Sequence, residues 1–273
     1  MHDKKLKFAA GLWHLFTEWR FDERFSVARE HGFSAVEITL PYNLAAPKLA
    51  RVREQAEIEV ALFTAPLGDF MEGGEGIAAV PGKQQEFADS IAQALEYADA
   101  LQARQIQFVA GRCLGQDDTP AKRERYLATL VDNLALALEA FRPTSTRLVL
   151  EAINTRDFDD YLLNRPEHVF ELIDRVGAGE LGAVLDTQHL FLMHIDPVQE
   201  MLDHGQRYCH IQLADGPERS QPGSGEIDFP AFYRAIRDSD YQGLIGAEYH
   251  PLEDSVGSLG WMSEADRLIN HGR

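Results

Sequence analysis

Along the chain, short apolar runs rich in β-branched and aromatic residues alternate with stretches whose apolar residues recur every three or four positions. The runs predict strands at Lys7–Leu12, Ala35–Ile38, Ile58–Phe63, Gln105–Ala110, Arg147–Glu151, Gly182–Asp186, Tyr208–Leu213 and Leu244–Glu248. The stretches between them predict amphipathic helices. Phe87, Ile91, Leu95, Ala98 and Leu101 form one stripe, and Leu127, Leu130, Leu134, Leu138 and Phe141 a second. Val169, Ile173 and Val176 form a shorter one after Pro166. Strand–helix alternation implies parallel strands, because each crossover returns the chain to the same end of the sheet. Eight such units can close on themselves, and roughly 250 residues suffice for one (β/α)8 unit. The expectation is an α/β protein built as a single TIM-barrel domain over residues 1–273. No Gly-x-Gly-x-x-Gly follows the first strand, which argues against an open dinucleotide-binding sheet. Gly68–Gly82, with glycines at 68, 73, 74, 76 and 82, reads either as an ordinary long loop or as a lid.

Polar residues sit where the late strands end. Glu151 follows Leu148-Val149-Leu150, Asp186 follows Ala183-Val184-Leu185, Gln212 follows His210-Ile211, and Glu248 follows Ile245-Gly246-Ala247. Side chains alternate faces along a strand. Three carboxylates and an amide therefore converge at the C-terminal mouth if those faces point inward, and that mouth is where barrel enzymes carry their chemistry. One acidic residue after a strand is usually a helix N-cap or a solvated loop residue; four at successive strand ends are harder to dismiss. Crowded carboxylates need a counter-charge. The donors are all oxygens, which favours a hard divalent cation, Mg²⁺ or Mn²⁺, over zinc.

Composition narrows the partners. Lysine and arginine number 26 against 44 acidic residues, so the net charge is 26 − 44 = −18. Such a surface repels nucleic-acid phosphates and offers no basic membrane patch. No apolar stretch approaches the roughly 20 residues of a membrane span. Met1–Lys5 could pass for the start of a leader, but the apolar run after it is short and broken by His14 and Glu18. Cys113 and Cys209 form no Cys-x-x-Cys pair, and a reducing cytoplasm fits them. A homo-oligomer stays open.

At these residues the sequence resembles the hydroxypyruvate isomerase family, within the wider xylose-isomerase-like barrels that also hold ketose 3-epimerases and the endonuclease IV type of repair enzyme. The matching pieces run in order. They are Val36-Glu37 with Pro41-Tyr42, Gly68-Asp69, Gly76-Ile77-Ala78 with Pro81-Gly82, Glu151-Ala152-Ile153-Asn154 and Asp186-Thr187-Gln188-His189. His210 to Asp215, Pro222 to Ile227, and Glu248-Tyr249 complete the set. The resemblance implies that Glu151, Asp186, Gln212 and Glu248 bind the metal and that Glu151 and Glu248 exchange protons. By similarity to the epimerases, His189 and Arg219 would contact substrate oxygens. Ala152, Gly11, Glu75 and His250 depart from the usual Pro, Asn, Arg and Lys. These positions surround the substrate more than the metal, so they bear on its identity rather than on the reaction. Ala152 and Ala61-Leu62-Phe63 look like the 2-oxo-tetronate isomerase branch. Asn154-Thr155-Arg156-Asp157 looks like the hydroxypyruvate branch, with Asp157 a substrate-binding candidate.

Moving a proton between adjacent carbons through an enediolate needs a base, an acid and positive charge beside two oxygens. Two glutamates flanking a divalent ion supply all three. The expected substrate is a small hydroxy-oxo acid: hydroxypyruvate, with 2-oxo-tetronate or a ketose as alternatives. Arg219 could fork onto a substrate carboxylate or lie solvated, and His189 could donate to substrate or be a loop histidine. His210 shares a face with Gln212 and reads as a support or core residue. Glu37 ends strand two and is a candidate pocket or supporting residue, while Trp13 and Phe63 form an apolar wall or belong to the core. A zinc phosphodiesterase would gather histidines in a basic groove, which this composition opposes. A non-catalytic sugar-acid binder would not need both glutamates.

Overall fold

The computed structural model describes residues 7–115, 119–177, 179–239 and 241–271; the leader-like Met1–Lys5 lies outside the described residues. Eight strands occur where expected: β1 (Phe8–Gly11), β2 (Ala35–Ile38), β3 (Glu59–Thr64), β4 (Gln105–Gln107), β5 (Arg147–Glu151), β6 (Leu181–Asp186), β7 (Tyr208–Leu213) and β8 (Leu244–Ala247). They join in sequence order into a closed barrel. The helices are α1 (Arg24–Glu30), α2 (Ala46–Ala56), α3 (Gln84–Leu101), α4 (Pro120–Phe141), α5 (Pro166–Val176), α6 (Thr187–Leu192), α7 (Pro197–His204), α8 (Phe229–Asp238) and α9 (Trp261–Asn270). No helix among the described residues is long and apolar enough to cross a membrane. Cys113 is buried and Cys209 half-buried, with no disulfide between them.

The chain packs as two compact units. The first comprises Met1–Thr39, Arg51–Ala61 and Val184–Arg273. In it β1 runs parallel between β2 and β8, and β8 pairs with β7. Ala9 stands beside both Ala35 and Gly246, and Gly246 stands beside Gln212. This level of the sheet thus carries two alanines and a glycine before it reaches Gln212. Small residues leave room above them, and the site uses it. Outside, α8 starts on Asp228, whose carboxylate caps the Ala231 N–H at 2.9 Å, with Pro230 in the first turn. Its apolar face buries Phe229, Phe232, Tyr233 and Ile236.

The second unit comprises Leu40–Ala50 and Leu62–Ala183. There the end of β3 pairs with β4, and β4 with β5. β4 stops earlier than the expected Ala110. Phe108 still donates to the Val149 carbonyl at 3.0 Å, but the chain then turns away at Gly111, φ +89°. A side chain at Gly111 would meet the Glu75 carbonyl at 2.2 Å, so glycine is required there. The helix stripes are also rotated slightly. α3 buries Ala94 and Tyr97 in place of Leu95, and α4 buries Tyr126, Asn133 and Ala137 where Leu127 and Leu138 were expected. α5 seats Val169, Phe170 and Leu172 rather than Ile173 and Val176. A helix on a sheet buries a broad face, and small or amphipathic residues can fill its middle while leucines flank it. Phe108 anchors this core between Phe87 and Phe141, with ring centroids 5.7 and 6.4 Å away.

Gly68–Gly82 belongs to the second unit and is tied down along its length. Asp69 accepts from the Gly76 N–H at 2.8 Å and from Lys83 at 3.2 Å. Arg112 donates to the carbonyls of Phe70 and Gly74, and its guanidinium lies over the Phe70 ring. Glu75 accepts from the Leu114 N–H at 3.0 Å and from the Tyr126 hydroxyl at 2.8 Å. In the structure this segment is an internally bonded loop.

Candidate active site

Three of the four strand-end groups lie in the first unit. Asp186 ends β6 and caps α6, with Oδ1 accepting from the His189 N–H at 2.8 Å. The bland N-cap role therefore holds for one of its oxygens. Oδ2 faces Arg219, whose Nη2 donates to it at 3.0 Å and to Glu248 Oε2 at 2.9 Å. Arg219 Nη1 donates to Gln188 Oε1 at 2.9 Å. The guanidinium expected on a substrate carboxylate is thus seated on the protein's own carboxylates, which converge on one nitrogen.

The loop after β7 is built to deliver that arginine. Asp215 is fully buried, and its carboxylate accepts from the N–H groups of Gly223, Gly225 and Ile227 at 2.8–3.0 Å. A Cβ on Gly225 would stand 2.1 Å from the Gly216 carbonyl and 2.7 Å from Asp215, so this close approach needs glycine. Within that frame Arg219 takes a left-handed backbone, φ +57°, and its carbonyl accepts from the His250 N–H at 2.7 Å. A non-glycine residue in this region is held there by its surroundings.

Electrostatics follow from burial and from the single arginine. Burial lifts the Glu248 carboxyl to about 8, opposed by Arg219 and aided by Asp186 and Glu37. Burial would raise Asp186 too, but Arg219, His189 and two backbone N–H groups outweigh it and hold the carboxyl below its ordinary range. His14 lies 3.9 Å from Glu248 and packs edge-on against His250 at 4.4 Å. Burial, Arg219 and His250 push His14 down to about 3.

Beneath these groups Glu37 joins β2 to β7. Its Oε1 accepts from His210 Nε2 at 2.7 Å and its Oε2 from Gln212 Nε2 at 2.8 Å. All three side chains are buried. Gln212 Oε1 has no hydrogen-bond partner among the described residues. A buried acceptor left open is unusual and fits a cation ligand.

In the second unit Glu151 ends β5, buried, with Gln107 at the end of β4 donating to its Oε2. Burial, with Glu151 adding to it, raises the nearby Tyr161 phenol well above its usual value. Asn154 closes a turn by accepting from the N–H groups of Arg156 and Asp157 at 2.9 Å. Asp157 is exposed and takes the Asn154 amide at 3.1 Å. Phe63 is fully buried, whereas Trp13 is 47% exposed and therefore not core. Asp186 and His189, both buried, each offer a candidate metal-ligand atom, the two lying within 4.8 Å of one another. His189, expected on substrate oxygens, thereby joins the candidate ligands.

Sequence reasoning missed Gln107, Gln188 and His14. Gln107 carries the same strand-end signal as Glu151, but an overlong β4 hid it mid-strand. Gln188 and His14 sit in loops or a short helix, where periodicity carries no signal.

A family model described as xylose isomerase-like TIM barrel matches residues 25–265. The chain is 35% identical to hydroxypyruvate isomerase of Escherichia coli K12 over 259 residues, covering 94% of this chain and 98% of that protein. It is 35% identical to 2-oxo-tetronate isomerase of Cupriavidus necator over 256 residues, covering 94% and 97%. Among solved structures it is similar to one described as AP endonuclease, family 2, from Brucella melitensis, with TM-score 0.89, 31% identity and coverage of 95% and 98%. The D-allulose 3-epimerase of Methylomonas sp., at 18% identity and TM-score 0.73 over 98% and 95% of the two chains, shares the fold.

Proposed function

The chain belongs to the xylose isomerase-like TIM-barrel family and is an isomerase, and we propose that it interconverts hydroxypyruvate and tartronate semialdehyde with a divalent ion, Mg²⁺ or Mn²⁺, held by Glu151, Asp186, Gln212 and Glu248. Asp186 and Glu248 meeting on one guanidinium nitrogen carries the proposal, because it marks a point where the fold calls for positive charge. The open Gln212 Oε1 adds a neutral oxygen donor to the acidic ones, a set suited to a hard cation. When bound, the ion would supply positive charge beside the two substrate oxygens.

The proton work falls to the two glutamates. One carboxylate takes a proton from the hydroxymethyl carbon of hydroxypyruvate, giving an enediolate. The other delivers a proton to the adjacent, formerly ketonic carbon. The hydroxyl proton passes between the two oxygens, so atoms balance with no redox partner. Microscopic reversibility gives each glutamate the base role in one direction and the acid role in the other. Gln107 would hold Glu151 in place through its amide. His189, Arg219 and Asp157 are the proposed substrate contacts; Arg219 would serve substrate by releasing one of its present acceptors.

The relatives divide between a three-carbon and a four-carbon acid, so 2-oxo-tetronate is the second substrate reading. A nuclease reading follows only from the name of the Brucella protein, and a net charge of −18 opposes binding a phosphate backbone. The test is NMR in D₂O of hydroxypyruvate, 2-oxo-tetronate and a ketose with Mg²⁺ or Mn²⁺, beside a DNA-nicking assay. Aldehyde formation with deuterium at the new C–H centre is expected for the three-carbon acid. Turnover of the ketose or nicking of DNA, with neither acid converted, would overturn the proposal.

A further inference from the structure

Gln212 offers two chemically opposite ends, and only the oxygen can bind a cation. An amide pivots by half a turn at little intrinsic cost, since the flipped shape is nearly the same. Something must therefore set which end faces the site. The structure supplies Glu37, whose Oε2 accepts from Gln212 Nε2 at 2.8 Å while its Oε1 is held by His210 Nε2 at 2.7 Å. Flipping the amide would bring two oxygens together at that distance, inside a region where Glu37, His210 and Gln212 are 3%, 0% and 1% exposed. Burial of that depth shields the clash from solvent, and a buried unpaired amide would add its own penalty.

The backbone is shaped for this contact. Glu37 sits on β2 and Gln212 on β7, with β1 and β8 between them. The carboxylate crosses that gap over Gly246, where a Cβ would stand 1.7 Å from Glu37 Oε1. Gly11, level with Glu37 on β1, is likewise free of a side chain. His210 is on the same strand as Gln212, two residues earlier and so on the same face. It fixes the first carboxylate oxygen, which leaves the second aimed at the amide.

We propose that Glu37 is a positioning residue that locks the Gln212 amide with its oxygen presented to the divalent cation, with Gly246 providing the passage and His210 anchoring the carboxylate. This rests on the cation site proposed above. Groups of this kind behind metal ligands change metal affinity by roughly 10–100-fold when removed.

The test reads binding and does not depend on turnover. Mn²⁺ and Mg²⁺ affinities of metal-stripped protein would be measured by calorimetry for the wild type, Glu37→Leu and Glu37→Gln. Leucine removes both acceptors and frees the amide; glutamine loses the charge and one acceptor but keeps an oxygen for the Gln212 amide, with His210 Nε2 able to accept its NH₂ in the other tautomer. The expected result is roughly 10–100-fold weaker binding for Glu37→Leu, with Glu37→Gln retaining most of the affinity. Wild-type affinity in Glu37→Leu overturns the inference and leaves the cation site standing. Equal losses in both variants also overturn it, because the carboxylate would then act through charge rather than orientation. A wild type that binds neither ion removes the cation site and the inference together. If Glu37→Leu does not fold, side-chain NMR of the wild type decides. On Mg²⁺ addition the Gln212 carboxamide carbon should shift while its NH₂ protons stay slow to exchange. A stationary carbon, or fast-exchanging NH₂ protons, overturns the inference.

Discussion

Removing the guanidinium should expose how much of the first unit's stability depends on one counter-charge. Arg219→Met keeps the apolar stem of the side chain and deletes the polar contacts with Asp186, Glu248 and Gln188. At pH 7 the metal-free wild type carries Glu248 mostly protonated, since burial lifts it to about 8. The charged partner lost is therefore Asp186, whose side chain has no exposed surface. Stranding a buried charge costs about 3–5 kcal/mol. Asp186 keeps the His189 N–H at 2.8 Å, so the lower end applies. A loss of about 3 kcal/mol corresponds to a fall in Tm of roughly 6–12 °C for a chain of this size.

The pH dependence has a definite sign. Glu248 is raised in the fold from an ordinary 4.5, so the stability linked to it is complete below 4.5 and is lost as pH rises through about 8. In Arg219→Met the lowering influence of the arginine is gone, so the loss continues at higher pH. The gap between variant and wild type should widen from pH 7 to pH 9. Saturating Mn²⁺ should narrow it, because the ion restores positive charge between the same carboxylates and adds stability by mass action. Thermal melts at three pH values, with and without Mn²⁺, give the answer. A gap below about 1 kcal/mol at pH 9, or one that Mn²⁺ leaves unchanged, would refute the reasoning.

Stripping with EDTA should abolish isomerisation and Mg²⁺ or Mn²⁺ should restore it; full turnover in protein verified free of metal would remove the ion from the mechanism. Mn²⁺ binding at pH 7 should release about one proton, because Glu248 holds one there and must give it up to ligate. Calorimetry in buffers of different ionisation enthalpy measures this, and zero release would mean that Glu248 is already ionised or is not a ligand. Glu151→Gln and Glu248→Gln should each stop net isomerisation but differ in which carbon still exchanges with D₂O, with metal content checked for both. Near wild-type turnover by either, metal bound, would end the two-glutamate mechanism.

How much of this was legible beforehand depends on the kind of signal. The eight strands were readable because a buried parallel strand is a short apolar run bounded by polar residues, and β2, β5 and β7 fall on the residues expected. The strand-end rule also picked out Glu151, Asp186, Gln212 and Glu248 as candidates, since a polar side chain at the end of an apolar run is conspicuous. The same rule should have found Gln107, but β4 ends three residues early, at a turn dictated by the Gly111–Glu75 approach rather than by hydrophobicity. Arg219 was readable as a candidate, but its seat was not. Its position is set by a loop wrapped around Asp215 and by a left-handed backbone, neither of which has a period. The rotated stripes of α3 and α4 have the same origin. Pattern fixes that a face exists, whereas the sheet beneath selects which residues lie at its centre.

The charge balance of the first unit explains why these features occur together. Asp186 and Glu248 both accept from one arginine, Arg219, a formal sum of 1 − 2 = −1, and Glu37 lies beneath them with His210 and Gln212 donating to it. Buried charges of one sign cannot be left at that sum. Burial pushes the Glu248 carboxyl up, towards keeping its proton, whereas Asp186, which accepts from both Arg219 and the His189 N–H, is held below its ordinary range. A proton is an incomplete answer, because it cancels one charge and leaves Gln212 Oε1 without a donor. In the proposed site a divalent ion would answer both demands at once: it would supply positive charge beside the carboxylates and take up the open oxygen. The surplus of negative charge beside an open neutral oxygen is thus the physical support for the proposed cation site.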